Sequence, residues 1–161
     1  MPTTQLYIIR HAVAEDVSEA GDDASRRLTK KGRKAFVRLV RRLRDAGMEV
    51  DLIATSPLVR TRETAAALAD EIGGKPPVEI VEALAPGSDW RAVAEWTAGQ
   101  DAARIAWVGH APCVGHLVAR AIGDGAAAIR MEKGAVASIR LGGGIGLGGE
   151  LEWLATPDMA D

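Results

Sequence analysis

Cysteine is almost absent from this chain: Cys113 stands alone among 161 residues. An intrachain disulfide is therefore excluded, and a reducing compartment, the cytoplasm, is the simplest expectation. Aromatic residues are also scarce, at 4%. Neither sign of charge is in excess. Twenty Lys and Arg against 22 Asp and Glu leave a net charge of −2, which gives no global reason to expect nucleic acid or an anionic membrane as partner. No apolar run approaches the roughly 20 residues of a membrane helix, and no secretory leader is expected from the N-terminal pattern. The three histidines, His11, His110 and His116, do not fall at H-E-x-x-H spacing, so neither a zinc site nor any other metal or cofactor is expected.

What is present is a core former. Hydrophobic residues make up 47% of the chain, enough for one domain spanning residues 1–161. The pattern alternates. "QLYIIR" is apolar on both faces, as a covered parallel strand should be. Residues 15–27, "EDVSEAGDDASRR", read as a long polar loop. A helix follows, with Thr29 as cap, Phe36, Leu39, Val40 and Leu43 on one face, and Gly47 as stop. "VDLIATSP" is a second buried strand, and Ser56-Pro57 reads as N-cap and first residue of the next helix. A short strand near "VEIV", a helix opened by Ser88 and closed by Gly99, a buried strand "RIAWVGH" and a helix after Pro112 come next. "AVASIRL" and "ELEWLAT" read as antiparallel strands closing one edge. The fold predicted is α/β: three layers, α/β/α, with a mostly parallel central sheet that is antiparallel at one edge.

In such sheets the ligand crevice lies beyond the carboxyl ends of the strands. The first strand ends in Arg10-His11, the second in Ser56-Pro57 with Arg60 close behind, and a later one in Gly109-His110. Two imidazoles and two guanidiniums without an obvious carboxylate partner suit a compact anion. Arginine forks match phosphate oxygens, and helices starting near Pro57 and Pro112 should point N–H groups at the same place. A neutral histidine can attack phosphorus and carry the phosphoryl group. The remaining cations would stabilise charge on the equatorial oxygens.

"RHA" after an apolar first strand, "SPLVRTRETA" and "VGHAP" together resemble the histidine phosphatase superfamily, also called the phosphoglycerate mutase-like or RHG family. The short chain and "RRLTKKG" are most similar to its SixA-type phosphohistidine phosphatase branch. The resemblance spans about residues 5–155. It implies that His11 is the nucleophile, that Arg10, Arg60 and His110 complete the phosphate pocket, and that Arg26 reaches the phosphate. It implies a phosphorylated protein as substrate, such as a histidine phosphotransfer domain of a signalling relay. The alternatives are a small phosphorylated metabolite and, further off, a non-catalytic phosphate-binding module. Ala12 stands where the family name has glycine, and Ala111 where asparagine is common. The general acid is unassigned: Glu82 is the candidate, whereas the branch pattern puts glutamate nearer Ala83.

Other features have plainer expectations. His116 lacks company and reads as structural or surface. Arg120 lies one residue too far from Cys113 for the C-x5-R spacing of cysteine phosphatases, and Cys113 reads as a small buried residue. "GGGIGLGG", residues 142–149, reads as a connection between strands rather than a phosphate loop. The basic helix Lys30 to Arg44 reads as a solvated face partly neutralised by Asp16, Glu19, Asp22 and Asp23, with docking of an acidic partner as the sharper alternative. Of Trp90 and Trp96, one is expected in the core and the other at the crevice.

Overall fold

Leu6 to Ile9 alternate between the two faces of a strand and are buried on both, so this segment has to sit inside a sheet that is covered above and below. In the computed structural model, which describes residues 2–146 and 148–161, it does. Strand β1 (Gln5–Arg10) lies between β4 (Arg104–Gly109), which runs parallel to it, and β5 (Val136–Arg140), which runs antiparallel. With β2 (Leu52–Thr55), β3 (Val78–Ile80) and β6 (Glu150–Ala155) they form one six-stranded sheet in the order β3-β2-β4-β1-β5-β6. The β1, β2, β3 and β4 pairings are parallel, and the β5–β6 edge is antiparallel.

The helices supply the other two layers. Helix α1 (Lys30–Asp45) buries Phe36, Leu39 and Val40. These pack with Ala65 and Leu68 of α2 (Val59–Glu71) over Tyr7, Ile9, Ile53 and Val108 on one face of the sheet. On the opposite face Val93 of α3 (Trp90–Ala98) and Leu117 and Val118 of α4 (Cys113–Ile122) cover Leu6, Ile8, Ile105 and Trp107. Trp107 is fully buried and donates its indole N–H to Thr97 Oγ1 at 3.0 Å. Trp90 and Trp96 are both half-buried and pack against this second cluster. Trp90 meets Trp107 edge-on and carries Arg120 over its ring.

Local chemistry explains where elements begin. Thr29 caps α1 by accepting from the Gly32 N–H at 2.9 Å. Gly32 itself must be glycine, because a Cβ there would collide with the carbonyl of Val13. That contact brings the start of α1 against the chain just after His11. Two expected caps move. Helix α3 is capped by Asp89, not Ser88, through the Ala92 N–H. Helix α2 starts at Val59 rather than Pro57, and Ser56 is not its cap. The Ser56 hydroxyl is used otherwise, as shown below. The glycine-rich connection does join β5 to β6. Gly149 is wedged there, with its N–H on Ala121 O at 2.7 Å and no space for a Cβ beside Ile139. Leu147, within that connection, lies outside the described residues. No helix among the described residues is long and apolar enough to cross a membrane.

Candidate functional site

The parallel register of β1 and β4 places Arg10 opposite Gly109. The next residue on each strand is a histidine, so His11 and His110 leave the sheet side by side. Their ring centroids are 5.5 Å apart, and the His11 N–H is tied to Gly109 O at 3.1 Å. Strand β2 runs beside β4, and Ser56 follows it at the same edge, its N–H on Val108 O at 3.1 Å. Arg60 enters one turn later from α2 and is only 6% exposed. The four residues expected to converge, Arg10, His11, Arg60 and His110, therefore gather at the carboxyl edge of the central strands.

Each is aimed by a neighbour. Arg10 donates from Nη1 to Met131 O at 3.0 Å. Arg60 donates from Nη1 to Asp23 O at 3.0 Å and from Nη2 to Asp23 Oδ2 at 3.1 Å. His110 Nε2 lies 2.8 Å from Ser56 Oγ. His11 Nδ1 lies 2.7 Å from Ala12 O. A carbonyl can only accept, so the His11 proton sits on Nδ1 and Nε2 keeps its lone pair.

What the neighbours leave over is the informative part. Among the described residues, three buried side-chain nitrogens have no hydrogen-bond partner: Arg10 Nε, Arg60 Nε and His110 Nδ1. Buried donors are normally satisfied, and an orphan costs about 1–3 kcal/mol. All three belong to residues of this one cluster. A tetrahedral oxyanion beside His11 is the kind of ligand that would satisfy them together.

Electrostatics agree with that use. Burial, reinforced by the charges of Arg60, Arg10 and Arg26, holds the His11 pKa down at about 4 against the opposing pull of its bond to Ala12. Burial, then the Arg60 charge and His11, hold His110 at about 4 as well. Both rings are neutral near pH 7. Arg10 is pushed down by its burial, with Glu132 opposing.

Arg26 lies at the rim. Its Nε donates to Glu15 O at 2.7 Å and its Nη1 to Asp23 Oδ1 at 2.8 Å. Asp23 thus bridges Arg26 and Arg60, and its carboxyl is held below the ordinary range by the bond from Arg26 and then by Arg60. Sequence reasoning had placed Asp23 among the acids neutralising the basic helix. The partners of that helix are instead Glu63 for Arg33, Asp161 for Arg38, Glu71 for Arg41 and Asp45 for Arg44. The bridging role of Asp23 was missed, as was the role of Ser56. A "D-x-x-R" spacing inside the loop was the one signal available for the former.

The expected help from helix N-termini is largely spent elsewhere. The Val59 N–H donates to Ala24 O at 3.0 Å, and the Val114 and Gly115 N–H groups turn back to His110 O and Pro112 O. Positive charge in the cluster comes from side chains. Glu82 is exposed at the start of a short 3-10 turn, Glu82–Leu84, and makes no hydrogen bond to the cluster among the described residues. His116 is exposed, and Cys113 is half-buried with its Sγ accepting from the Gly87 N–H at 3.3 Å. No group of three or more His, Cys, Asp or Glu able to hold a metal occurs among the described residues.

Residues 6–86 match the family model of the Histidine phosphatase superfamily (branch 1). The chain belongs to this superfamily. It is 33% identical over 143 residues to an uncharacterized protein of Picosynechococcus sp. (strain ATCC 27264 / PCC 7002 / PR-6), which covers 86% of each chain. Its fold is similar to that of the protein histidine phosphatase SixA complexed with tungstate, with a TM-score of 0.86 at 24% identity over 98% of this chain and 99% of that one. A protein of Nakamurella multipartitia assigned as a SixA phosphohistidine phosphatase gives 0.74 at 25% identity, with 98% and 99% covered. The alpha-ribazole phosphatase of Shigella flexneri has the same fold, at 0.72 and 19% identity over 95% and 96% of the chains. The histidine phosphatase fold thus carries both protein and small-molecule phosphatases among the neighbours of this chain.

Proposed function

We propose that this chain is a metal-independent phosphatase that works through a phosphorylated His11 and acts on phosphohistidine carried by a signalling protein. The observation that carries the reading is the His11 geometry. Its Nδ1–H is fixed on Ala12 O, which leaves Nε2 as a neutral nucleophile among three unpartnered buried nitrogens. In the first step Nε2 attacks phosphorus in line, the bond to the leaving group breaks, and that group departs on the far side. Arg10, Arg60 and His110 hold the equatorial oxygens and spread their charge. Positive charge that a metal would otherwise supply comes from the two guanidiniums, with Arg26 contributing from the rim. In the second step water attacks the phospho-His11, the P–N bond breaks, and Nε2 recovers its lone pair as phosphate leaves.

A phosphohistidine substrate is favoured by the likeness to SixA across nearly the whole of both chains, and by Glu82, which makes no hydrogen bond to the cluster. An imidazole leaves as a neutral ring once its other nitrogen carries a proton, whereas an alkoxide needs an acid. A location in a reducing, cytoplasmic compartment fits such a substrate and the single cysteine.

One observation favours a second reading, a small-molecule phosphomonoesterase. A crevice of about 530 Å³ adjoins Arg10 and is lined by Thr29, Lys31, Glu132, Lys133 and Asp158. It could house the organic part of a small phosphate ester. Two measurements test the choice. Rapid mixing with a phosphohistidine-bearing phosphotransfer domain should trap an acid-labile phosphoenzyme that His11→Ala does not form. The kcat/KM on that protein should exceed the value on every member of a sugar-phosphate and nucleotide panel. A metabolite turned over faster would move the assignment to the second reading.

A further inference from the structure

Ser56 sits where a helix cap was expected, yet it caps nothing. It is fully buried, and its hydroxyl has two partners among the described residues. The Leu58 N–H reaches Oγ at 3.3 Å, and His110 Nε2 lies 2.8 Å away. The first partner can only donate, so it occupies a lone pair of Oγ. The hydroxyl proton then needs an acceptor, and among the described residues the one in reach is the lone pair of an unprotonated Nε2. A ring that accepts at Nε2 and is neutral carries its proton on Nδ1. Nδ1 is the atom that is buried without a partner.

We infer that Ser56 is a positioning residue that fixes His110 as the Nδ1–H tautomer and so turns its free edge into a donor for the phosphoryl oxygens. Without this bond the ring has no reason to keep its proton on that side. With the proton on Nε2, Nδ1 would present a lone pair to the anion, and a binding donor would become a repulsive contact. The two histidines thus receive the same tautomer by different means. Ala12 O accepts from Nδ1 of His11 and frees Nε2 to attack. Ser56 donates to Nε2 of His110 and frees Nδ1–H to bind. The bland alternative is that Ser56 merely fills space beneath the start of α2. The orphaned Nδ1 on the opposite side of the same ring speaks against it.

The inference rests on His110 being a phosphate ligand, and the test separates the two claims. Imidazole ¹⁵N–¹H correlation spectra of the free wild-type protein should show His110 protonated on Nδ1. A wild-type His110 protonated on Nε2 would overturn the proposal without any variant being made. In Ser56→Ala the same signal should move to the Nε2–H form or to a mixture. Vanadate binding and kcat/KM should weaken about 10-fold, the loss of one hydrogen bond to a charged oxyanion. In a His110→Ala background, Ser56→Ala should add less than 2-fold to the loss. An unchanged tautomer in Ser56→Ala, or full additivity in the double variant, would show that the serine acts on packing and overturn the proposal. Wild-type protein that binds no vanadate would defeat the phosphatase reading instead, while the tautomer result would still decide the role of Ser56.

Discussion

Strands β1 and β4 carry an arginine at each end of their shared register, and the two are treated in opposite ways. At the amino end Arg104, paired opposite Gln5, is held by carboxylates. Its Nε and Nη2 bind Asp51 at 3.0 and 2.8 Å, and its Nη1 binds Glu49. Those contacts raise its pKa further above the ordinary arginine value. At the carboxyl end Arg10 has a carbonyl for its partner and keeps Nε unpaired. One end spends its charge within the protein and the other holds it in reserve. A guanidinium held by a carbonyl is oriented without being neutralised. That is the requirement for binding an anion that is not always present.

The largest contrast between the two ends should come from the atoms that react. His11→Ala should lower kcat by roughly 10⁴-fold or more and abolish phosphoenzyme labelling. Arg60→Ala and Arg10→Ala should each cost about 10²- to 10³-fold in kcat/KM, as loss of a charge-stabilising donor does. Arg104→Ala should leave kcat/KM within about 2-fold and cost about 1 kcal/mol of stability, because its side chain is 38% exposed and solvent screens the pair. Steady-state kinetics with urea unfolding on the same variants checks both halves. A catalytic defect in Arg104→Ala as large as that of Arg10→Ala would erase the distinction.

Acid should also affect the two ends at different pH values. The folded pKa values of His11 and His110, about 4, lie below the ordinary 6.5. The unfolded chain therefore binds more protons between these values, and stability falls as pH drops from about 6.5 to 4. The loss is on the order of 3 kcal/mol per histidine. At the amino end Asp51 is depressed by Arg104, so its contribution stays intact above its ordinary value of 3.8 and is lost only below it. Urea unfolding at pH 7, 5.5 and 4 should show the decline, and His11→Asn with His110→Gln should flatten it. An equal slope in that double variant would mean the decline arises elsewhere.

This division explains what could be read from the sequence. Arg10-His11 was legible because an apolar run ends abruptly in two side chains that a buried strand does not need. Gly109-His110 was legible for the same reason, and strand order then had to bring the pairs together. The partners that aim these groups were not legible. Met131 O, Ala12 O and Asp23 O are backbone atoms, and any residue type supplies a carbonyl. Ser56-Pro57 misled because a serine before proline has the same signature whether it caps a helix or serves a histidine. Helix α2 began two residues late, and the hydroxyl turned to His110. The acids of the long loop misled as well. Net charge along a segment does not say which arginine Asp23 will meet, and it met Arg26 and Arg60 rather than α1.

The smallest expected effect concerns Glu82 and the leaving group. Glu82 is exposed and makes no hydrogen bond to the cluster among the described residues, so Glu82→Gln should change kcat/KM on a phosphohistidine protein by less than about 2-fold. In the proposed mechanism Arg10 and Arg60 would polarise the P–N bond, and the departing imidazole would take its proton from solvent before or during departure. The same substitution should matter more for an unactivated sugar phosphate, whose alkoxide has no such route, and should lower that already slower rate by about 10-fold. Measuring both substrates on both proteins gives four rates and one ratio. If Glu82→Gln depresses the phosphohistidine rate as much as the sugar phosphate rate, the leaving imidazole depends on this carboxyl. The carboxyl edge of the sheet would then include Glu82, and the comparison between its two ends would need an acid on the catalytic side.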